Sequence, residues 1–530
     1  MSHETAALAY LTGYTARMLR EQSFHTSRRG AFRGHILRTR SEALAELRRP
    51  CGRFKSIIPT EETLRSYIAE KVADIDDVGN SLFIDDGTPL NWQRMLSFLH
   101  ENKILAAPRF DARYHRNDYP NIMHFFELAP MKSPDLSDGY EVMYNGFGGS
   151  PHHEVAMSKA VGEVLERYFL STYKRDRLHA ASYTELSKRS TVIDIRQFDF
   201  FLDWQKKRFP AFAFDNESVF QWVEGRALQG GASVYLPAQL VYWNYLHTPQ
   251  GLPPEQVISM QTTSGSAGHF TKDEATLAAL LEAIQRDAFL IYWLNTLTPR
   301  VIDIETITDP TIINVVEHLR RFNLEPIFLN TTSDFKIPTA TCVIIDRADA
   351  ARPIFSIGSG AGFTVEETLL SSAIEALAVL HFVSQQEPYP IAQSYEPFTS
   401  AAITRFERLR AWQGPTMAER IPFFLSGKKQ SVHEFIGDAP SMDTVEKRLA
   451  HITNECAAHG EGYEIYIYEV KNLVLEQLGY HVVRAIVPEL VPLYLVEFAA
   501  PLKARRLKEV PGKIGYRAAK ELNPWPHPFP

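Results

Sequence analysis

NGFGGSPHHEVAMSKAVGEVLERY at residues 145–168, TTSGSAGHFTKDEATLAALLEAIQRDAFLIYW at 262–293 and IGSGAGFTVEETLLSSAIEAL at 357–377 are one pattern written three times. Gly149, Ala156 and Glu163 stand seven apart, as do Gly268, Ala275 and Glu282; Ala361, Thr368 and Glu375 repeat the spacing with a weaker start. Residues seven apart share one face of a helix, so each copy reads as a glycine-rich stretch entering a helix that carries its glutamate about four turns on.

Two copies continue alike, as Glu163-Val-Leu-Glu166-Arg167 and Glu282-Ala-Ile-Gln285-Arg286. On a helix these polar residues project together, while Val161, Val164, Leu165 and Tyr168 take the other side. A single such helix reads as a solvated face laced by Glu–Arg pairs. Three in one chain predict instead a ring of oxygen ligands suited to Mg²⁺, flanked by guanidinium groups suited to phosphate. No G-x-x-x-x-G-K-[ST] loop is present, and GSGAGF puts Phe363 where a Rossmann turn has its third glycine.

Outside the repeat the chain is ordinary. Its 530 residues are 45% hydrophobic and 22% charged, the texture of a globular chain of a few domains. The net charge of −7 offers no long-range attraction for nucleic acid or an anionic membrane surface. Cys51, Cys342 and Cys456 lie far apart without a C-x-x-C pair and read as reduced thiols. With no export signal in the first residues and no run of 18 apolar residues, the expectation is a cytoplasmic protein that does not span a membrane.

Residues 1–115 differ in texture. A basic stretch at 28–49 precedes helical patterns at 61–72 and 92–105, with the Asp86-Gly87 turn signal between them. A small helical domain, winged-helix-like in the segment 90–107, is expected there. Beyond it, strand-like runs at 233–243, 339–347, 352–360, 463–470 and 481–490 alternate with helical patterns, giving an α+β domain over 116–530. Residues 387–437 read as loops with short helices. The end, NPWPHPFP at 523–530, has proline at every second position, which forbids helix and leaves an extended, stiff tail. His152-His153 reads as a solvated pair, and LIYWL at 290–294 as core.

The three glutamate helices, the E-x-x-[EQ]-R-D run and the proline-rich end together resemble the YcaO family, over roughly residues 116–530. The resemblance implies an α+β fold of mixed sheets, with the three helices around an ATP site. It implies Mg²⁺ held by Glu163, Glu166, Glu282, Gln285 and Glu375, and nucleotide contacts from Ser158, Arg167, Ser264 and Arg286. In azoline-forming members the tail sets the C-terminus, here the Pro530 carboxylate, beside the active site.

The implied activity is ATP-dependent cyclodehydration of Cys, Ser or Thr in a ribosomally made precursor peptide. It proceeds through phosphorylation of the backbone amide oxygen. Its implied partners are that peptide, a separate leader-binding protein resembling ubiquitin-activating enzymes, a flavin-dependent azoline dehydrogenase and a second copy of this chain. Two departures from the family pattern are Phe147, where many relatives have lysine, and Ala378, where they have glutamine. They keep a non-catalytic scaffold subunit, beside thioamide or amidine formation, as the alternatives.

Overall fold

The computed structural model describes residues 90–107, 111–113, 124–128 and 145–529, apart from 244, 246–254, 347–353, 385, 392–394, 401–402, 404, 414 and 438–441. The helix expected at 61–72, the basic stretch 28–49, Cys51 and Pro530 lie outside the described residues. The chain divides into two compact units at Val164/Leu165, inside a continuous helix.

In the first unit, helix α1 (Leu90–Glu101) occupies most of the helical pattern expected at 92–105. Strands β1 (Asp111–Arg113), β2 (His124–Leu128) and β3 (Gly146–Ser150) form an antiparallel sheet in that order. Helix α2 (His153–Leu170) begins three residues after β3 and folds back over it. Added Cβ atoms at Gly146 and Gly148 would sit 2.2 Å from the Ala160 carbonyl oxygen and 1.8 Å from that of Ala156, so only glycine permits this approach.

The second unit is built on two sheets. Strands β4 (His179–Ser182), β5 (Val219–Ala227), β6 (Ser233–Pro237), β7 (Ser266–His269), β13 (Tyr466–Glu469) and β14 (His481–Ile486) pair antiparallel in the order β4-β5-β13-β14-β7, with β6 also on β5. The other sheet runs β11-β10-β9-β8-β12 and comprises β8 (Arg300–Ile302), β9 (Leu324–Asn330), β10 (Thr339–Asp346), β11 (Ile354–Ala361) and β12 (Lys429–Gln430). Only the β12–β8 pair is parallel among the described strands. Helix α3 (Lys272–Leu294) touches β7 and β14 of one sheet and β10 and β11 of the other, which makes it the spine of the unit.

The run 233–243 is strand only as far as Pro237; Ala238–Val241 is a short helix, because proline cannot donate to a ladder and the chain turns there. The segment 387–437 contains short helices such as Arg405–Ala411 and Val432–Ile436, as its patchy pattern suggests. Helix α4 (Val365–Ser384) follows β11 and packs on β11 and β10. It is long and apolar enough by composition to cross a membrane, the only such helix among the described residues, and 56% of its most apolar window is buried in the fold.

The β11–α4 connection reproduces β3–α2 in detail. Cβ atoms at Gly358 and Gly360 would meet the Ser372 and Thr368 carbonyl oxygens at 2.4 and 2.3 Å, counterparts of Ala160 and Ala156 in the repeat. Among the described strands both β3 and β11 are edge strands, which leaves outward N–H groups without a described ladder partner. The glutamate of each helix takes one of them: Glu163 accepts from the Phe147 N–H, and Glu375 Oε2 from the Ser359 N–H at 2.8 Å. The spacing of glycine to glutamate is thus the reach of a helix side chain back to its own strand.

The tail is part of the core. His527 and Phe529 are fully buried. Trp293 Nε1 donates to the Trp525 carbonyl at 3.2 Å, Trp412 Nε1 to the Pro526 carbonyl at 3.1 Å, and His527 Nε2 pairs with the Tyr494 carbonyl at 2.8 Å. Alternating prolines hold the backbone extended, and two successive carbonyls, of Trp525 and Pro526, each meet an indole on the surrounding elements.

Candidate active site

Within the second unit, Arg286 stands at the centre of the site. Its Nη2 lies 3.3 Å from Glu282 Oε1 and 3.2 Å from Glu375 Oε1, so one donor edge serves two carboxylates from different repeats. Its Nε and Nη1 are buried and have no hydrogen-bond partner among the described residues. Its guanidinium carbon lies 4.1 Å from the centre of the Phe529 ring, a cation–π contact that seats the tail directly on the site. Burial pushes the Glu282 carboxyl above its usual range against the pull of Arg286, with the charge of Glu375 adding to the rise. Even so, 26% of its side chain stays exposed.

Glu166, at the end of the second unit's share of α2, accepts from Ser266 Oγ at 2.5 Å. Arg167, next along the helix, lies over the Trp243 ring at 5.7 Å. Gln285 is turned into the fold: its Nε2 donates to the Ser359 carbonyl at 2.8 Å and ties α3 to β11. Ser264 lines a cleft with Gln239, Thr262, Arg286 and Arg484. Glu163 and Ser158 belong to the first unit, on α2. Cys342 and Cys456 are buried free thiols, with Cys342 pushed above its usual range by burial and Cys456 pushed up to about 12. Neither is activated as a nucleophile.

Among the described residues, no three His, Cys, Asp or Glu side chains stand close enough to hold a metal ion by themselves. The residues still fit a metal–triphosphate group. Glu282 and Glu375 crowd one guanidinium and would be relieved by a cation, while the orphaned Nε and Nη1 of Arg286 are donors without an acceptor. Mg²⁺ bound here would complete its shell with nucleotide oxygens and water, its usual habit.

Three features have partners that a reading of the sequence does not supply. Arg484 on β14, in an otherwise apolar HVVRAI run, donates to the Leu240 and Thr262 carbonyls and faces Glu166 and Glu282. Asp287 is fully buried, accepts from the Val491 N–H at 2.9 Å and is gripped by Arg506 at 2.6 and 2.7 Å, which fixes the turn of α3 bearing Glu282 and Arg286. Glu255 is buried behind the cleft wall, accepting from the Tyr245 hydroxyl and from Gln239 Nε2.

Burial pushes the Glu255 carboxyl up to about 7 from an ordinary 4.5. Its folded state therefore holds a proton that the unfolded chain has lost. That cost is absent below about pH 4.5 and grows as pH rises to about 7, where it is complete. Glu255→Gln is expected to be more stable than the parent by about 2–3 kcal/mol at pH 8, with the gain shrinking toward pH 5, in urea unfolding at both pH values.

The model of the family described as YcaO cyclodehydratase, ATP- and Mg²⁺-binding, matches residues 146–491, which contain all three copies of the repeat. A heterocyclase solved in complex with substrate and cofactor superposes with a TM-score of 0.66 at 17% identity, covering 99% of this chain and 74% of that one. YcaO from Methanopyrus kandleri, bound with AMPPCP and Mg²⁺, gives 0.51 at 15% identity over 77% of this chain and 93% of that one. An uncharacterised protein of Methanothermobacter thermautotrophicus is 23% identical over 282 residues, 52% of this chain. The match spans just under two thirds of that relative, 66%. The family match takes in the edge strands, the glutamate helices they face and the Arg484 strand, well over half of the sequence, and the chain belongs to the YcaO family.

Proposed function

We propose that the chain is an ATP- and Mg²⁺-dependent cyclodehydratase that forms thiazoline or oxazoline rings from Cys, Ser or Thr of a ribosomally made precursor peptide. The observation that carries this reading is the Arg286 centre: two carboxylates from separate repeats and an orphaned guanidinium edge, with the docked tail lying on it. ATP with Mg²⁺ supplies the phosphoryl group that turns a poor leaving group, the former amide oxygen, into phosphate.

The chain's own residues align and neutralise. Glu166, Glu282 and Glu375 are the oxygen ligands for Mg²⁺, and Glu163 joins them by its place in the repeat. Gln285 keeps only its carbonyl oxygen for such a role, since its nitrogen is committed to Ser359. Arg286 and Arg167 take phosphate oxygens, Ser158 and Ser264 the rest of the nucleotide. No covalent protein nucleophile is required, because the peptide's own side chain attacks its amide carbon. Phe529 is packed against Arg286 and Phe289, and the carboxylate of the residue after it, Pro530, is assigned a part in the chemistry.

The partners follow the same reading: the precursor peptide, a separate leader-binding protein, an azoline dehydrogenase where rings are oxidised to azoles, and a second copy of the chain. The 116–530 segment is the catalytic domain on this view, and 1–115 engages substrate or partner. Incubation with ATP, Mg²⁺ and a precursor peptide encoded beside the gene is expected to release phosphate in a peptide-dependent way and to remove one water mass per ring. Phosphate release with the amide oxygen exchanged for sulfur would point to thioamide formation, water loss that consumes an amine and leaves Cys, Ser and Thr unmodified to amidine formation, and neither signal to a scaffold subunit.

A further inference from the structure

Arg408 and Glu497 are fully buried charges set against each other, with Arg408 Nη2 2.8 Å from Glu497 Oε1 but too oblique for a hydrogen bond. Arg408 Nε and Nη1 likewise have no hydrogen-bond partner among the described residues. Burial pushes the Glu497 carboxyl above its usual range against the pull of Arg408. Two charges taken out of water and imperfectly paired add little to stability, and apolar side chains of similar size often serve as well or better. What such a pair can supply is a fixed geometry.

The elements it joins are the two walls of the tail. Arg408 sits on the helix Arg405–Ala411, and Trp412, the next residue, donates to the Pro526 carbonyl. Glu497 opens the short turn Glu497–Ala499, three residues after Tyr494, whose carbonyl pairs with His527 and whose ring meets the His527 ring edge-on at 4.8 Å. The Arg408 guanidinium carbon lies 5.0 Å from the centre of the same Tyr494 ring. A third grip comes from Tyr395, whose hydroxyl is shared between the Pro524 carbonyl at 2.8 Å and Glu497 Oε2 at 3.3 Å. The Tyr395 ring stacks on Trp525, which has the Arg420 guanidinium 4.8 Å from its own ring centre.

Five residues separate the Pro524 grip from Phe529, about 15 Å of extended backbone at about 3.1 Å per residue. A flexible chain would absorb a shift at one end. A chain with proline at 524, 526 and 528 passes it on to the other, where Phe529 lies against Arg286. Resting on the ring-forming reading above, we propose that Tyr395 and the Arg408–Glu497 pair are positioning residues that set the register of the tail over Arg286. They act through the tail, and the reacting groups are reached only by way of Phe529.

The test compares the full chain with Tyr395→Phe, which keeps the ring on Trp525 and loses the hydroxyl, and with the double variant Arg408→Met/Glu497→Met, which removes both charges together. Ring formation on the precursor peptide is followed by mass spectrometry over a range of peptide concentrations, beside calorimetric titration of AMPPCP with Mg²⁺ and thermal unfolding. The kcat for ring formation is expected to fall about tenfold in Tyr395→Phe and about a hundredfold in the double variant, the scale of a misplacement of up to about an ångström. KM for the peptide, AMPPCP affinity and melting temperature should stay near the parent's in both. Parental kcat in either variant overturns the proposal. So does a fall in kcat accompanied by a matching loss of AMPPCP affinity or melting temperature, the mark of a brace for the whole unit. An unmodified chain that binds AMPPCP and forms no rings overturns the ring-forming reading itself.

Discussion

Glu282→Gln and Glu375→Gln are each expected to lower ATP turnover by about a thousandfold, a loss of about 4 kcal/mol of transition-state stabilisation, without lowering stability. The two carboxylates share a single guanidinium nitrogen of Arg286, and an amide in either place would bring Mg²⁺ an oxygen but not the negative charge. Stability should hold for a different reason in each case. Burial and the charge of Glu375 already disfavour the ionised form of Glu282, so neutralising it removes a cost. Glutamine at 375 still offers a carbonyl oxygen to the Ser359 N–H. Glu163→Gln should behave like Glu375→Gln, since its carboxylate accepts from the Phe147 N–H, the same place in the repeat. Glu305→Gln serves as the control: its ion pair with Arg320 is exposed on both sides, and its loss should cost at most a few tenths of a kcal/mol and no activity. Steady-state phosphate release with urea unfolding on the same samples reads both quantities. A Glu282 or Glu375 variant with near-parental turnover would remove that residue from the metal site.

A short peptide tag fused after Pro530 is expected to reduce ring formation by on the order of a hundredfold, the typical penalty for displacing reacting groups by about an ångström. The residue before Pro530 is fully buried between Arg286 and Phe289, so the tail has no slack with which to carry extra chain outward. Deleting residues 526–530 is harsher than a tag. It strips the Trp412 indole of its acceptor, empties the His527 and Phe529 positions, and should lower the melting temperature as well as abolish cyclisation. Mass spectrometry of the peptide and thermal unfolding of the protein separate the two effects. Full dehydration by the C-terminally tagged protein would free the tail of any role in the chemistry.

The repeat was legible because it is local. Glycine, helix and glutamate lie within sixteen residues of one another, and the clash of a Cβ at Gly358 or Gly360 against α4 is written directly into the composition of the strand. The tail was legible for the same reason, since alternating prolines allow few conformations. Arg484 was not. Its partners Leu240 and Thr262 lie 244 and 222 residues away, and the only local sign is one charge in an apolar strand. The Asp287–Arg506 pair that fixes α3 spans 219 residues: Asp287 closes the E-x-x-[EQ]-R-D run, but nothing local names its partner. The turn at Pro237 shows the opposite failure: the apolar run 233–243 continues past the point where the missing N–H ends the ladder, so hydropathy alone overextends the strand. Gln285 stands in a ligand's place in the pattern, yet it spends its amide nitrogen on β11, a contact visible only once the second sheet is in place.

The central claim is that this site activates a peptide amide by phosphorylating its oxygen, and a heavy-oxygen label placed at the reacting carbonyl of the precursor peptide tests it most directly. After incubation with ATP and Mg²⁺, the released phosphate should carry the label in proportion to the rings formed. Rings formed alongside unlabelled phosphate, with the heavy oxygen released to water, would contradict the account.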